Sequence, residues 1–347
     1  MAVSMKPDAG RTVRVAVVGA GEWGKNHVRT FARLRGATLA TVCDLDQAKL
    51  DSVHAEYPGA ATTSRYEAIL QDASIEAVII ASFASQHFEQ ARLALAAKKH
   101  VLVEKPMTLG PEEAEELVLL ADRAGCCLMV GHLLLYHPAV AKMKALVDGR
   151  EIGDLFYLYS QRLNLGRVRK DENALWSFGP HDVAVAVHLF GDEPETVTAK
   201  GEAFLQKGVV DVVFVTLHFP GRKLAHIHLS WLDPHKTRRT TIVGSKKMVV
   251  FDDMEPTDKV RIYDKGVDIK PQAVAYEDYL HVRFGDVLIP HIGSSEPLRV
   301  ECQHFLDCVR TGARPRSDGT QGLQVIRVLA AAQRSLDLDG APVPVKG

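Results

Sequence analysis

Residues 13–24 read VRVAVVGAGEWG. A β-branched run ends in Gly19-x-Gly21-x-x-Gly24, and residues 27–34 after it carry a helical pattern. Each glycine has a physical reason. The first permits a tight turn, and the second lets the backbone approach a pyrophosphate. The third allows close packing of helix on strand, and the helix N-terminus attracts the phosphates. Glu22 and Trp23 fill the two variable positions of the same turn. The next extended segment, 37–43, closes at Asp44, 20 residues beyond Gly24, where a ribose-binding carboxylate belongs. Such a carboxylate accepts hydrogen bonds from a ribose 2′-OH and repels a 2′-phosphate, so NAD is favoured over NADP. Lys49 and Arg65 are near enough to leave a dual preference open. A plain turn followed by a capping Asp is the other reading. Strand, helix and acid together favour the cofactor.

Outward from this motif, strand-like segments at 60–62, 76–81, 100–103 and 127–130 alternate with helical ones at 47–56, 65–70, 86–97 and 112–124. That alternation predicts βαβ units and a parallel sheet. Past residue 132 the rhythm changes. A helix at 137–147 precedes extended runs at 155–163, 196–204, 209–219, 225–231 and 240–251, and helices at 301–310 and 321–336 follow. The fold class expected is α/β plus α+β. A tail at 1–11 leads into a Rossmann domain at 12–132, then a substrate-binding and oligomerisation domain at 133–347 built on an open, mostly antiparallel sheet. Residues 255–293 are polar and resist assignment.

Composition narrows the class. The 347 residues carry 42 basic and 43 acidic side chains, a net charge of −1, which argues against nucleic acid as the main partner. An uncharged apolar run of about 18 residues is absent, so no membrane span is expected. Five cysteines without a CxxC pair read as a reduced, cytoplasmic protein. His226 and His228 share one face of a strand without further ligands nearby, so no metal is expected.

Glu104-Lys105-Pro106 follows the segment 100–103. In an open parallel sheet, ligands sit beyond the carboxyl ends of the strands, so Lys105 is placed to meet the cofactor's reactive end. A surface lysine beside a turn proline is the alternative. VVGAGEWG, the strand ending in Asp44, VLVEKP, the stretch GHLLLYHP at 131–138 and the closing helices together resemble the Gfo/Idh/MocA oxidoreductases. The resemblance spans about residues 12–340. It implies a catalytic Lys105, a cis Lys105–Pro106 bond, and Glu104 and Lys105 at the cofactor. The family's Asp-x-x-x-His motif falls on residues 177–181, where His181 matches and Ser177 replaces the usual Asp. A histidine suits proton transfer near neutral pH. His181 is assigned as acid/base and Lys105 as the cation stabilising an alkoxide, with the reverse assignment open.

The stretch 159–173, YSQRLNLGRVRKDEN, holds Arg162, Arg167, Arg169 and Lys170 without an acid between residues 162 and 170. Arginine forks suit phosphate oxygens. A solvated basic loop is the equal alternative. The resemblance extends to members acting on nucleotide sugars. It implies NAD-dependent oxidation of a UDP-N-acetylhexosamine such as UDP-GlcNAc at C3. Tyr136, Arg162, Asn164, Arg167, Arg169, Asn173, Trp176, Ser177 and His181 are the candidate substrate residues. A free cyclitol or monosaccharide, or a TDP-keto sugar, is the competing substrate class. A silent dinucleotide-binding regulator is a third reading, disfavoured because Lys105 and His181 are both present. The resemblance also implies a homodimer or homotetramer.

Overall fold

The structure, a computed structural model, describes residues 10–166, 168–170, 172–269 and 280–346. They form two compact units, one of residues 10–136 with 295–326, the other of residues 137–294 with 327–346.

In the first unit, strands β1 (Val13–Val18), β2 (Ala37–Cys43), β3 (Ala61–Thr63), β4 (Ala77–Ile80), β5 (His100–Glu104) and β6 (Leu128–Gly131) make a parallel sheet in the order β3-β2-β1-β4-β5-β6. Every side chain of β4 and β6 is buried, and all but Arg14 of β1. That is the pattern of a sheet covered on both faces. Helices α1 (Gly24–Arg33), α2 (Gln47–Glu56), α3 (Tyr66–Gln71), α4 (Ala84–Ala96) and α5 (Pro111–Ala124) make the crossovers. Local signals set their limits. Asp46 caps α2 by accepting from the Ala48 amide at 3.0 Å, and α5 runs from Pro111 to a left-handed Gly125. Strand order reverses between β1 and β4, which opens a ligand crevice beyond their carboxyl ends. Gly19, Asp44 and Lys105 all follow the carboxyl ends of strands.

Residues 295–326 belong to this unit, whereas the sequence pattern alone groups them with the second domain. Helix α8 (Pro297–Thr311) lays Leu298, Cys302, Phe305, Leu306 and Val309 into the core beside α1. Ser317 extends the attachment. Its amide carbonyl accepts from the Val130 N–H at 2.8 Å and its hydroxyl donates to the Val130 carbonyl at 2.7 Å. A helical period shows that α8 has an apolar stripe but not which sheet that stripe covers.

The second unit holds β7 (Leu155–Leu163), β8 (Thr196–Glu202), β9 (Val212–Phe219), β10 (Lys223–Ser230), β11 (Thr237–Gly244), β12 (Met248–Asp252), β13 (Val260–Ile269), β14 (Leu280–Leu288) and β15 (Val343–Pro344). Their order is β14-β13-β12-β11-β7-β10-β9-β8-β15, antiparallel except for the parallel pair β7–β10. Helix α7 (Ala174–Phe190) packs on β7, β9 and β10, and α6 (Pro138–Asp148) on α7 and β12. Helix α9 (Gly319–Asp337) gives its first turns to the first unit and the remainder to this one. The run 240–251 is a hairpin rather than one strand, because residues 245–247 turn between β11 and β12. The unassigned stretch contains β13 and β14. Its polarity hides them, since Arg283 pairs across the ribbon with Asp264 at 3.2 Å and Asp268 at 2.8 Å.

Arg310 on α8 reaches the carbonyls of Arg11 at 2.7 Å and Gly36 at 2.5 Å, with only 6 % of its side chain exposed. Charge-assisted bonds of this kind contribute about 1.5–3 kcal/mol each, and deletion leaves buried carbonyls bare. Arg310→Ala is therefore expected to lower unfolding free energy by about 3 kcal/mol. Urea denaturation would check it, and an unchanged midpoint would show that α8 is not anchored this way.

Candidate active site

The glycine turn has the stereochemistry that a dinucleotide requires. Gly19 sits at φ +89°, and a Cβ there would meet the Ala81 carbonyl oxygen at 2.7 Å. A Cβ on Gly24 would lie 1.9 Å from the Gly19 carbonyl oxygen, so helix and turn touch through the missing side chain. Gly21 faces open space with nothing within 4 Å, the cleared approach that a pyrophosphate needs. Asp44 ends β2 beside this turn. It accepts from the Ala20 amide at 2.7 Å, the Asp46 amide at 2.9 Å and the Lys49 ammonium at 3.4 Å. Burial works to raise its carboxyl, but those three donors hold it below the usual carboxylate range. Asp44 is thus charged. Lys49 approaches, as the sequence left open, but lies against Asp44 and Asp46.

Behind the turn lies a network built on Glu104. Its carboxylate accepts from the Trp23 indole, from His27 at 2.7 Å and from the Lys105 amide at 3.2 Å. Trp23 is 41 % exposed while His27 is fully buried, the two rings meeting edge to face. Burial opposes ionisation of Glu104, but His27, Trp23 and Lys105 outweigh it and lower its pKa. Glu104 therefore gathers the protein's own donors, with the Trp23 N–H turned inward to it. The Lys105–Pro106 bond is cis. Glu301 of α8 is completely buried, and neither carboxyl oxygen has a hydrogen-bonding partner among the described residues. Burial and then the charge on Glu104 push its pKa well up, so it keeps its proton. His132 bonds Gln321 at 2.6 Å, and burial pushes it down to about 4. Sequence reasoning missed His27, His132 and Glu301. His27 stands three residues past Gly24 and could have been suspected. Glu301 lies 197 positions from Glu104, and no local signal joins them.

In the second unit, Asn173 caps α7, accepting from the Trp176 amide at 3.1 Å and donating to Gln333 at 2.9 Å. His181 and the buried Ser177 stand one turn apart on this helix, His181 directly after the interior Pro180. Asp182 points to β7. It accepts from Ser160 at 2.9 Å and from Arg162 at 2.5 Å.

Several of the expected substrate residues lie against partners within the protein. Arg162 is the counter-ion of Asp182, with 11 % of its side chain exposed. Asn173 is a helix cap. Tyr136 is buried, its hydroxyl on Ser317 at 2.8 Å and its ring against Arg316. Arg169 pairs with Glu172 at 2.8 Å. Each has a polar group that bonds or pairs within the protein. Asn164 and Trp176 are half-buried, and Arg167 lies outside the described residues. Among the described residues no helix is long and apolar enough to cross a membrane.

The switch-point crevice, the open approach at Gly21 and the charged Asp44 define a dinucleotide-binding protein. Residues 13–132 match the family described as "Oxidoreductase family, NAD-binding Rossmann fold", and residues 140–250 match its C-terminal domain. The chain belongs to the Gfo/Idh/MocA oxidoreductases, and its cofactor is NAD. It is similar to an oxidoreductase structure from Magnetospirillum magnetotacticum (31 % identity, 92 % of this chain and 99 % of that one, TM-score 0.79). The UDP-N-acetylglucosamine 3-dehydrogenase of Acidithiobacillus ferrooxidans is 28 % identical over 92 % of this chain and 95 % of its own length. Its solved structure superposes with a TM-score of 0.80, at 25 % identity over 94 % of this chain and 99 % of that one. The scyllo-inositol 2-dehydrogenase (NAD⁺) of Bacillus subtilis is 25 % identical over 87 % of this chain and 88 % of its own length.

Two outcomes follow from these charges. Asp44→Ala is expected to raise KM for NAD at least about ten-fold, the value of a lost charge-assisted bond, and to narrow discrimination against NADP. Initial rates with both cofactors check it, and unchanged preference refutes the assignment. Glu301 has its folded pKa above its unfolded value, so it costs stability increasingly as pH rises past about 4.3. Glu301→Gln should match the wild-type melting temperature near that pH and exceed it by a growing margin towards pH 8, measured by calorimetry.

Proposed function

We propose that the protein oxidises a secondary hydroxyl of a UDP-N-acetylhexosamine, namely C3 of UDP-GlcNAc. The chemistry rests on one observation above all. Lys105 directly follows β5 at the crevice edge, its amide bound to Glu104, which also holds the cofactor turn through Trp23. The substrate class is supported by similarity to a UDP-GlcNAc 3-dehydrogenase over nearly the whole of both chains.

Gly19, Gly21 and Gly24 would cradle the pyrophosphate of NAD and Asp44 its ribose. When bound, NAD supplies the two-electron acceptor. The Lys105 ammonium orients the substrate oxygen and stabilises the charge that develops on it. His181 takes the hydroxyl proton. The first unit then serves the cofactor and the second the substrate and assembly. The outer face of the nine-stranded sheet exposes Tyr157, Tyr159, Phe214 and Leu224. A contiguous apolar surface of this kind fits a homodimer or homotetramer. Five free cysteines fit the reducing cytoplasm. A second reading, oxidation of a free cyclitol, is favoured by the similarity to an inositol dehydrogenase and by the engagement of Arg162 with Asp182.

The purified chain with NAD and a panel of UDP-GlcNAc, UDP-GalNAc and scyllo- and myo-inositol decides between them, read by NADH absorbance and by fluorescence of retained NADH. Turnover of UDP-GlcNAc is expected. Oxidation of an inositol alone would overturn the reading. Lys105→Ala and His181→Ala should each lower kcat by about 10²–10⁴-fold while leaving NAD binding intact.

A further inference from the structure

The second sheet carries a cationic corner on the face that α7 covers. In the β7–β11 register Arg238 lies directly opposite Arg162, two residues beyond the buried pair Thr240–Ser160. Because alternate residues share a face, Arg238 is on the same side as Ser160 and Arg162, and both of those reach Asp182, the residue after His181. The strand neighbour Arg239 points to the opposite face and pairs with Asp252 at 3.0 Å. Around Arg238 stand three further groups. Asp253 is 3.8 Å from its guanidinium, and Lys259 reaches the same carboxylate at 3.3 Å. His137 lies 3.6 Å from that carboxylate, but burial pushes its pKa down, so it adds no reliable charge.

The cations Arg162, Arg238 and Lys259 thus face two carboxylates, Asp182 and Asp253, and the corner keeps an excess of one positive charge. The pairing is uneven. Arg162 holds Asp182 closely, whereas Arg238 shares a more distant Asp253 with Lys259 and leaves 44 % of its side chain exposed. Like charges directly opposite across a strand pair are unfavourable. Burial first, and then Arg162, weaken the proton affinity of the Arg238 guanidinium. A bound anion would relieve both strains on this corner, and an arginine fork matches two oxygens of a phosphate at once.

We propose that Arg238, with Lys259 beside it, is the docking point for the diphosphate of the nucleotide-sugar substrate. The assignment rests on the substrate reading above and relocates its anion contacts from the 159–173 stretch to β11. UDP is the probe, titrated calorimetrically into the full-length protein. Wild type should bind it, Arg238→Gln should bind at least ten-fold more weakly, and Arg238→Lys should fall between. Arg239→Gln, the same charge change on the opposite face, should stay within two-fold of wild type. Equal UDP affinity in wild type and Arg238→Gln, no UDP binding by wild type, or an equal loss in Arg239→Gln would each overturn the site. Thermal melts and NADH binding confirm that the variants are folded. Turnover separates the two claims. UDP-GlcNAc oxidised with an unchanged KM in Arg238→Gln removes the site and leaves the substrate reading. Arg238-dependent UDP binding without UDP-GlcNAc oxidation removes the reading and leaves the site.

Discussion

A buried carboxylate is expensive unless donors surround it, and Glu104 collects three from separate parts of the first unit. The Trp23 indole comes from the glycine turn, the His27 ring from α1 and the Lys105 amide from the end of β5. Each bond is satisfied only if its element ends where it does. The electrostatic need of one side chain therefore sets the spacing between the phosphate-binding turn and the proposed catalytic lysine. Glu301 shows the converse rule. A second ionised carboxyl in the same dry core would repel Glu104, and with no donors of its own Glu301 stays protonated. One carboxyl is ionised and the other neutral because only one was given partners.

In the second unit Asp182 does comparable work. It draws Ser160 and Arg162 of β7 towards α7 and so fixes the helix turn that carries His181. The Asp expected four residues before that histidine is a buried serine, so the helix is positioned by the residue after His181. Asn173 secures the start of the same helix from the other side, through the Trp176 amide and Gln333. Orientation of the helix as a rigid body thus replaces a carboxylate bonded along its own turn.

Much of this was legible in the chain. The glycine turn, Asp44 and the strand before Lys105 are local patterns, and local patterns survive folding because a strand–turn–helix sets its own geometry. The strands of the second sheet were visible wherever apolar residues alternate, as in β9 and β10. They vanished in β13 and β14, where cross-strand ion pairs replace apolar contacts. Long-range partnership was illegible throughout. Nothing near Glu301 or Arg310 reveals that α8 belongs with the first sheet, because an apolar stripe declares only that it must be covered.

The arginines show why proximity along the chain misleads about charge. Arg162, Arg169 and Lys170 look like one cationic cluster when read in order. Folding separates them, since Arg162 is the last residue but one of a strand and Arg169 is already in the loop beyond it. Each then takes the nearest carboxylate, Asp182 or Glu172. Arg238 looks unremarkable in sequence, one of two adjacent arginines after a tryptophan-proline loop. The two-residue period of β11 splits that pair across the sheet, sending Arg239 to Asp252 and Arg238 to a corner already holding Arg162. A cation gains importance for binding from the lack of a close counter-ion, and that shortage is set by strand register. The near-zero net charge of the whole chain is therefore compatible with a local positive excess, because the balance is struck pair by pair and one pair is left loose.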